Sequence, residues 1–282
     1  LNAEVDPNKL AKNPAKVVKL KLEKNKLLQI KLPKNMFHNR DNSPGLDLSE
    51  RENVDAMKSH LSKYDNIKFQ ASSCIGSSGI ENEVKSLCNS RVIGSVIFDQ
   101  PDFIINTLGK QPPKQDWGRT TVAYRISILT RAADLIQIHA RELLYLLLHE
   151  TGKTIQDAWD ELREAEDFIR FYCNEASGLQ SKSLVLNGPT GELNEISYHP
   201  KGTFLCISPW NFPIAILVGQ ISAALITGNN VVAKPSEFAS LLGNKVIEIF
   251  YEAGVPKEAL MIIFGGADQG DALSKIDYIQ GI

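Results

Sequence analysis

Three short stretches of this 282-residue chain carry side chains in an order that could do chemistry. In "SPWNFP", Pro213 suits the first turn of a helix, where its missing N–H would go unpaired in any case. Asn211 lies just ahead of it. A side-chain amide fixed there is the kind of N–H donor that stabilises a developing oxyanion. The position equally suits an Asn that only caps the helix. In "AKPSE", Lys234 and Glu237 stand three residues apart. A carboxylate that accepts hydroxyl hydrogen bonds and an ammonium that donates them could together grip a ribose, although a surface ion pair has the same composition. In "GGADQG", residues 265–270, glycines precede a helix start and would let backbone approach phosphates. This is not the G-x-G-x-x-G fingerprint with its downstream acid, so the loop alone does not specify a dinucleotide site.

Such side chains need a scaffold, and the flanking pattern supplies one. Strands are predicted at 202–207, 229–234, 259–264 and 278–282, with helices at 213–227, 237–253 and 267–276 between them. Strand–helix alternation at this spacing predicts an α/β, Rossmann-like parallel sheet with right-handed crossovers. Ligands of such sheets bind at the carboxyl ends of the strands, where all three loops fall. Upstream, the apolar periodicity predicts one long helix ending at Gly152 and a second ending at Gly178. Residues 184–198 read as a hairpin turning at Gly-Pro-Thr-Gly. Residues 49–64 read as a polar helix starting near Ser49, with Glu52 completing a capping box. The stretch between Arg91 and Trp117 looks shortened and irregular. Residues 1–48, rich in lysine and turn formers, read as a solvated linker or tethering arm.

Composition narrows the class. A hydrophobic content of 43% allows a large core, and a net charge of −2 offers no field for nucleic acid. The arm also lacks the interleaved aromatics of a nucleic-acid binder. The longest apolar run, 214–226, falls short of the roughly 20 residues a membrane span needs. Cys74, Cys88, Cys173 and Cys206 have no CxxC spacing, so neither a metal site nor a disulfide framework is expected, and a reduced cytoplasm fits best.

"SPWNFP", "VVAKPSE" and "EAGVPKEALMIIFG", with "ETGKT" upstream of them, resemble the aldehyde dehydrogenase superfamily from about Trp117 onward. "NSPGLDLSE", "LREAEDFIRFYCNEA" and "CISPWNFPIAILVGQISAALITGNNVVAKPSE" are most similar to the dehydrogenase half of the bifunctional proline utilization A flavoenzymes, and the N-terminal arm is similar to their linker. The resemblance implies oxidation of glutamate γ-semialdehyde, the open form of Δ1-pyrroline-5-carboxylate, to glutamate, with NAD as cofactor. It implies that Asn211 is the oxyanion-stabilising amide, and that Lys234 and Glu237, with Ser236 between them, hold the adenosine ribose. It implies that Ile207, Ser208, Pro209 and Trp210 line the cofactor cleft, with Gly266 and Gly270 near the adenine–pyrophosphate side. Glu164 and Phe168 match substrate-tunnel positions, while ordinary helix-surface and core roles remain open for both.

The departures matter equally. In this family a Cys thiolate attacks the aldehyde, and a Glu-activated water hydrolyses the resulting thioester. The resemblance places both residues beyond position 282. No cysteine present has the exposed, electropositive setting of a reactive thiolate. The expectation is therefore a partial NAD-binding domain over 49–282, inactive alone, with a complementing C-terminal chain or a second copy as partner. Two other readings stand beside it: a non-catalytic NAD- or partner-binding module, and a fragment of a general aldehyde dehydrogenase.

Overall fold

The computed structural model describes residue 13 and residues 31–76, 78–110 and 112–282; most of the lysine-rich run read as a linker lies outside the described residues. Helix α1 spans Arg51–Leu61, and its N-cap is Glu50, without a side-chain cap bond. The expected capping role of Ser49 is thus corrected. Asp47 Oδ1 accepts from Ser49 N at 2.9 Å and from its Oγ at 2.6 Å, so the preceding turn takes the hydroxyl first.

Three strands that the sequence reading lacked come next: β1 (Phe69–Ala71), β2 (Ile80–Lys85) and β3 (Val92–Phe98). The last is central, parallel to β1 and antiparallel to β2. The stretch expected to be irregular therefore holds this strand and helix α2 (Pro101–Leu108), which Pro101 opens.

Helices α3 (Val122–Ile138) and α4 (Ala140–Glu150) replace the single helix expected there. They part at His139, whose ring lies 2.9 Å from Glu252 and 3.6 Å from Glu142. Gly152, at φ +69°, follows α4 in the left-handed turn its position predicts. Helix α5 (Ile155–Gln180) starts at a Thr154 cap and runs past Gly178. The expected stop there is wrong because an interior glycine costs only about 1 kcal/mol of helix propensity, which tertiary burial of α5 outweighs.

Strands β4 (Leu184–Leu186) and β5 (Asn194–Ile196) pair antiparallel as the expected hairpin. Then β6 (Thr203–Ile207), α6 (Ala215–Ile226), β7 (Asn230–Lys234), α7 (Ser240–Ala253), β8 (Leu260–Ile262), α8 (Ala267–Ser274) and β9 (Ile279–Gly281) alternate as predicted. Pro213 sits one residue before the Ile214 N-cap, ahead of the first turn of α6 rather than within it. A 3-10 turn, Glu237–Ala239, precedes α7, so that helix begins later than expected.

The four strands are all parallel, in the order β8-β7-β6-β9. Numbered from the first, this is 3-2-1-4, the arrangement of a doubly wound sheet whose direction reverses between β6 and β9. One face carries α6 and α7, backed by α3, α4 and α5, around Leu129, Leu144, Ile169, Ile221 and Phe250, all at 0% exposure. Each such side chain contributes roughly 1.5–3 kcal/mol of burial. On the other face Ile104 of α2 and Leu273 of α8 pack on Leu205, Val232 and Ile263. The smaller sheet joins along β8, where Cys74 N donates to Ile262 O at 3.2 Å and Phe264 N to Ser73 Oγ at 3.1 Å.

The described end of the arm is not solvated throughout. Ser43 is buried, and its N–H and hydroxyl donate to the two Asp167 carboxylate oxygens at 2.7 and 3.0 Å. Among the described residues no helix is long and apolar enough to cross a membrane.

Candidate functional site

Strand ends gather the candidate residues. After β6, Ile207 O accepts from Gln220 Nε2 at 3.0 Å, and Ser208 N donates to Lys234 O at 3.2 Å. The first and second loops are thereby tied at their roots. Ser208 is 3% exposed, and its hydroxyl oxygen is buried without a partner. A buried hydroxyl left unpaired is costly, so a polar ligand reaching it would be stabilised.

Beyond that root the loop opens to solvent. Trp210 is 55% exposed, and Asn211 and Phe212 are exposed as well. Asn211 Oδ1 accepts from Phe212 N at 3.1 Å. A backbone N–H can only meet the amide oxygen, so the NH2 group is the end turned outward. Asn211 does not cap α6, because no side-chain cap bond exists there.

The second loop meets the third. Lys234 is 4% exposed; burial lowers its pKa, and Glu237 partly offsets this. None of the ion pairs among the described residues involves Lys234. A Cβ added at Gly270 would sit 3.4 Å from Lys234 Cε, and one at Gly266 would sit 3.5 Å from Glu237 Oε1. The two glycines thus face the two charged side chains directly. Ser236 is 8% exposed and caps the 3-10 turn through Phe238 N at 3.3 Å. Gly266 N donates to Gln269 Oε1 at 2.9 Å, so this end of α8 is partly closed by its own side chain.

Trp210 and Glu237 also share the wall of a cavity of about 550 Å³ with Phe238, Glu150, Val84 and Phe98. That volume suits a small-molecule site. Glu164 and Phe168 are not brought to this cleft. Both lie on α5, Glu164 exposed and Phe168 packed on Gly219, one turn into α6.

Of the four cysteines, Cys173 and Cys206 are buried and Cys74 and Cys88 are exposed at the surface; desolvation acts on three of the thiols. It pushes the Cys206 thiol up to about 12 and that of Cys173 to about 11, and raises that of Cys74. The Cys88 thiol donates to Leu148 O at 3.1 Å on the β2–β3 turn. Among the described residues no group of three or more His, Cys, Asp or Glu could hold a metal ion.

Two functional-looking residues escaped the sequence reading, Glu150 and Glu161, both buried. Glu150 accepts from Leu241 N and Leu242 N at 2.8 Å each, closing the start of α7. Burial pushes its pKa up to about 8 against the downward pull of those bonds. Glu161 Oε1 accepts from Ile214 N at 2.7 Å and Ala215 N at 3.1 Å, closing the start of α6. The signal was present: Ala158, Leu162, Ala165 and Ile169 form the buried stripe of α5, and Glu161 interrupts it.

Comparison with known proteins matches residues 106–282 to the aldehyde dehydrogenase family. The bifunctional protein PutA of Escherichia coli is 33% identical over 261 residues, which is 90% of this chain and 19% of that protein. A 1-pyrroline-5-carboxylate dehydrogenase of Anoxybacillus flavithermus is 39% identical over 158 residues, 56% of this chain and 30% of that protein. Among solved structures, proline utilization A from Bdellovibrio bacteriovorus inactivated by N-propargylglycine superposes with a TM-score of 0.80 at 25% identity, over 89% of this chain and 26% of that one. The chain thus spans about a fifth of the length of the bifunctional relative.

Proposed function

Because the chain belongs to the aldehyde dehydrogenase family, we propose that residues 49–282 form the NAD-binding portion of a Δ1-pyrroline-5-carboxylate dehydrogenase, with 1–48 as a preceding arm. The whole enzyme would oxidise glutamate γ-semialdehyde to glutamate. The observation that carries this reading is the meeting of Lys234 with Gly270 and of Glu237 with Gly266 at adjacent strand ends. A Cβ at either glycine would lie in van der Waals contact with one of the two charged groups, so the glycines leave that space beside them open, and a buried ammonium without an ion-pair partner fits a polar ligand. The names of the relatives support the substrate.

NAD, when bound, would supply the acceptor for the hydride leaving the aldehyde carbon. The chain's own residues bind and orient. Lys234 donates to ribose hydroxyls and Glu237 accepts from them; a carboxylate there also repels the 2′-phosphate of NADP. Ile207, Ser208, Pro209 and Trp210 wall the cleft, and Gly266 and Gly270 leave room on the adenine side. Asn211 presents its NH2 group to the substrate oxygen as charge builds on it. Glu164 and Phe168 face the substrate approach along α5.

The attacking thiolate and the general base come, in this reading, from a complementing catalytic segment. Cys206 and Cys173 do not suit the role, since their thiols stay protonated at neutral pH. A second copy or partner docking on the 184–198 hairpin is favoured by the exposure of Leu184, Val185 and Leu193 there. The cytoplasm is the compartment proposed.

Calorimetric titration of the chain with NAD tests the reading. Micromolar binding is expected, with Lys234→Ala weakening it about 10–100-fold through lost charge-assisted hydrogen bonds. NADP is expected to bind at least about tenfold more weakly than NAD. Absence of binding to the unmodified chain, or equal affinity in Lys234→Ala, contradicts it.

A further inference from the structure

Glu161 is 1% exposed, yet it does not belong to the cofactor cleft. Its Oε1 holds the first N–H groups of α6, and its Oε2 lies 2.5 Å from Lys153 Nζ. That ammonium also sits over the Phe212 ring, 4.2 Å from its centroid. Phe212 N in turn donates to Asn211 Oδ1 at 3.1 Å. A continuous set of contacts thus runs from the start of α5 to the amide at the loop tip.

Little else holds that tip. Between Pro209 and Pro213 the other hydrogen bond among the described residues is Ile216 N to Phe212 O at 3.3 Å, within the start of α6 itself. Trp210 and Phe212 are 55% and 43% exposed, so core packing does not fix them. An exposed loop tip with so few contacts moves freely unless something specific restrains it. A half-buried cation over an aromatic face is such a restraint, and the carboxylate beside it holds the cation in place.

We propose that Lys153 and Glu161 are positioning residues for Asn211, together fixing the direction in which its NH2 group points. The inference rests on the reading of Asn211 as the oxyanion donor. Neither residue touches substrate. Lys153 acts through Phe212, and Glu161 acts through Lys153 and the start of α6. Glu150, three residues before Lys153, closes the start of α7 in the same manner. The end of α4 and the first turns of α5 therefore hold the starts of the helices that follow the ribose loop and the oxyanion loop.

The test is 15N relaxation of the full chain, following the Asn211 side-chain amide and the Phe212 backbone. The unmodified chain is expected to show rigid values, with an order parameter near 0.85. In Lys153→Met, which keeps the apolar stem but removes the charge, both are expected to drop below about 0.6. Amides of β6 and β7 should stay unchanged. Lys153→Arg is expected to restore order, because a guanidinium pairs with a carboxylate and stacks on a ring. Unchanged order at Asn211 in Lys153→Met overturns the proposal, as does loss of order spread evenly through α5 and α6, which marks general destabilisation. Glu161→Gln, which keeps an oxygen for Ile214 N, should loosen the Asn211 amide without releasing α6; an unchanged amide there counts against the proposal. NAD titration of the same samples separates the two readings. Lys153→Met should retain NAD affinity within about twofold, since Lys234 and Glu237 are untouched, and failure of the unmodified chain to bind NAD would refute the cofactor reading while leaving the relaxation result to decide this one.

Discussion

Asn211→Ala, in residues 1–282 supplied with a catalytic segment carrying the cysteine nucleophile, lowers kcat by about 10²–10³-fold. NAD affinity should remain unchanged, measured by titration of the same preparation. The size follows from the environment of the amide. Its oxygen is occupied by Phe212 N, so the NH2 group has no role among the described residues other than to face outward from the loop. A donor that gains strength only as the substrate oxygen becomes charged lowers the transition state more than the ground state. The loss should therefore appear in kcat with little change in KM. Asn211→Asp should be worse than Ala, since it sets an acceptor against the developing negative charge. Equal kcat in Asn211→Ala, read from NADH absorbance, contradicts the assignment.

Glu161→Ala lowers the unfolding free energy by about 3–5 kcal/mol, and the lower end is the better figure because Lys153 is partly accessible to water. Two costs combine. The N–H groups of Ile214 and Ala215 lose their acceptor at a buried helix start, and the Lys153 ammonium loses its counter-ion. For a chain of this size the change corresponds to a drop in Tm on the order of 5–10 °C. Glu164→Ala, one turn further along α5 and exposed, should change stability by no more than about 0.5 kcal/mol. Urea unfolding followed by circular dichroism distinguishes them. Similar midpoints for the two variants would show that Glu161 is not the anchor of α6.

The parallel sheet was legible because each strand is a short apolar run bounded by a Gly, Pro or Asn, and each helix between has its own stop. Gly254, at φ +112°, ends α7 where Gly-Val-Pro predicts it. The smaller sheet was not legible. Strands β1 and β2 have three and six residues, and β2, "IENEVK", alternates exposed and half-buried positions without a buried residue. What makes these segments strands is pairing with β3, which β1 reaches only across the whole of β2 and β2 meets across the turn at 86–91; their own short, mostly exposed patterns show little of it. The break at His139 is likewise tertiary. Periodicity continues through it, and at the turn His139 meets Glu252 on α7.

The candidate site divides along the same line. Lys234 and Glu237 were singled out from loop residues and Gly266 and Gly270 from the resemblance, and the fold brings them side by side. Glu150 and Glu161 were passed over because a glutamate on an amphipathic helix reads as solvent-facing. Their role depends on α6 and α7 starting against α5 and α4, which only packing reveals. An acid interrupting a buried stripe is the mark to look for, as Glu161 between Ala158 and Leu162 illustrates.

The central claim is that the strand ends of β7 and β8 form an NAD site. A crystal structure of the chain grown with NAD measures it most directly. The account predicts adenosine ribose hydroxyls within about 3.2 Å of Lys234 Nζ and of a Glu237 carboxylate oxygen, with the adenine side against Gly266 and Gly270. NAD bound elsewhere, or a ribose in contact with neither side chain, would contradict it.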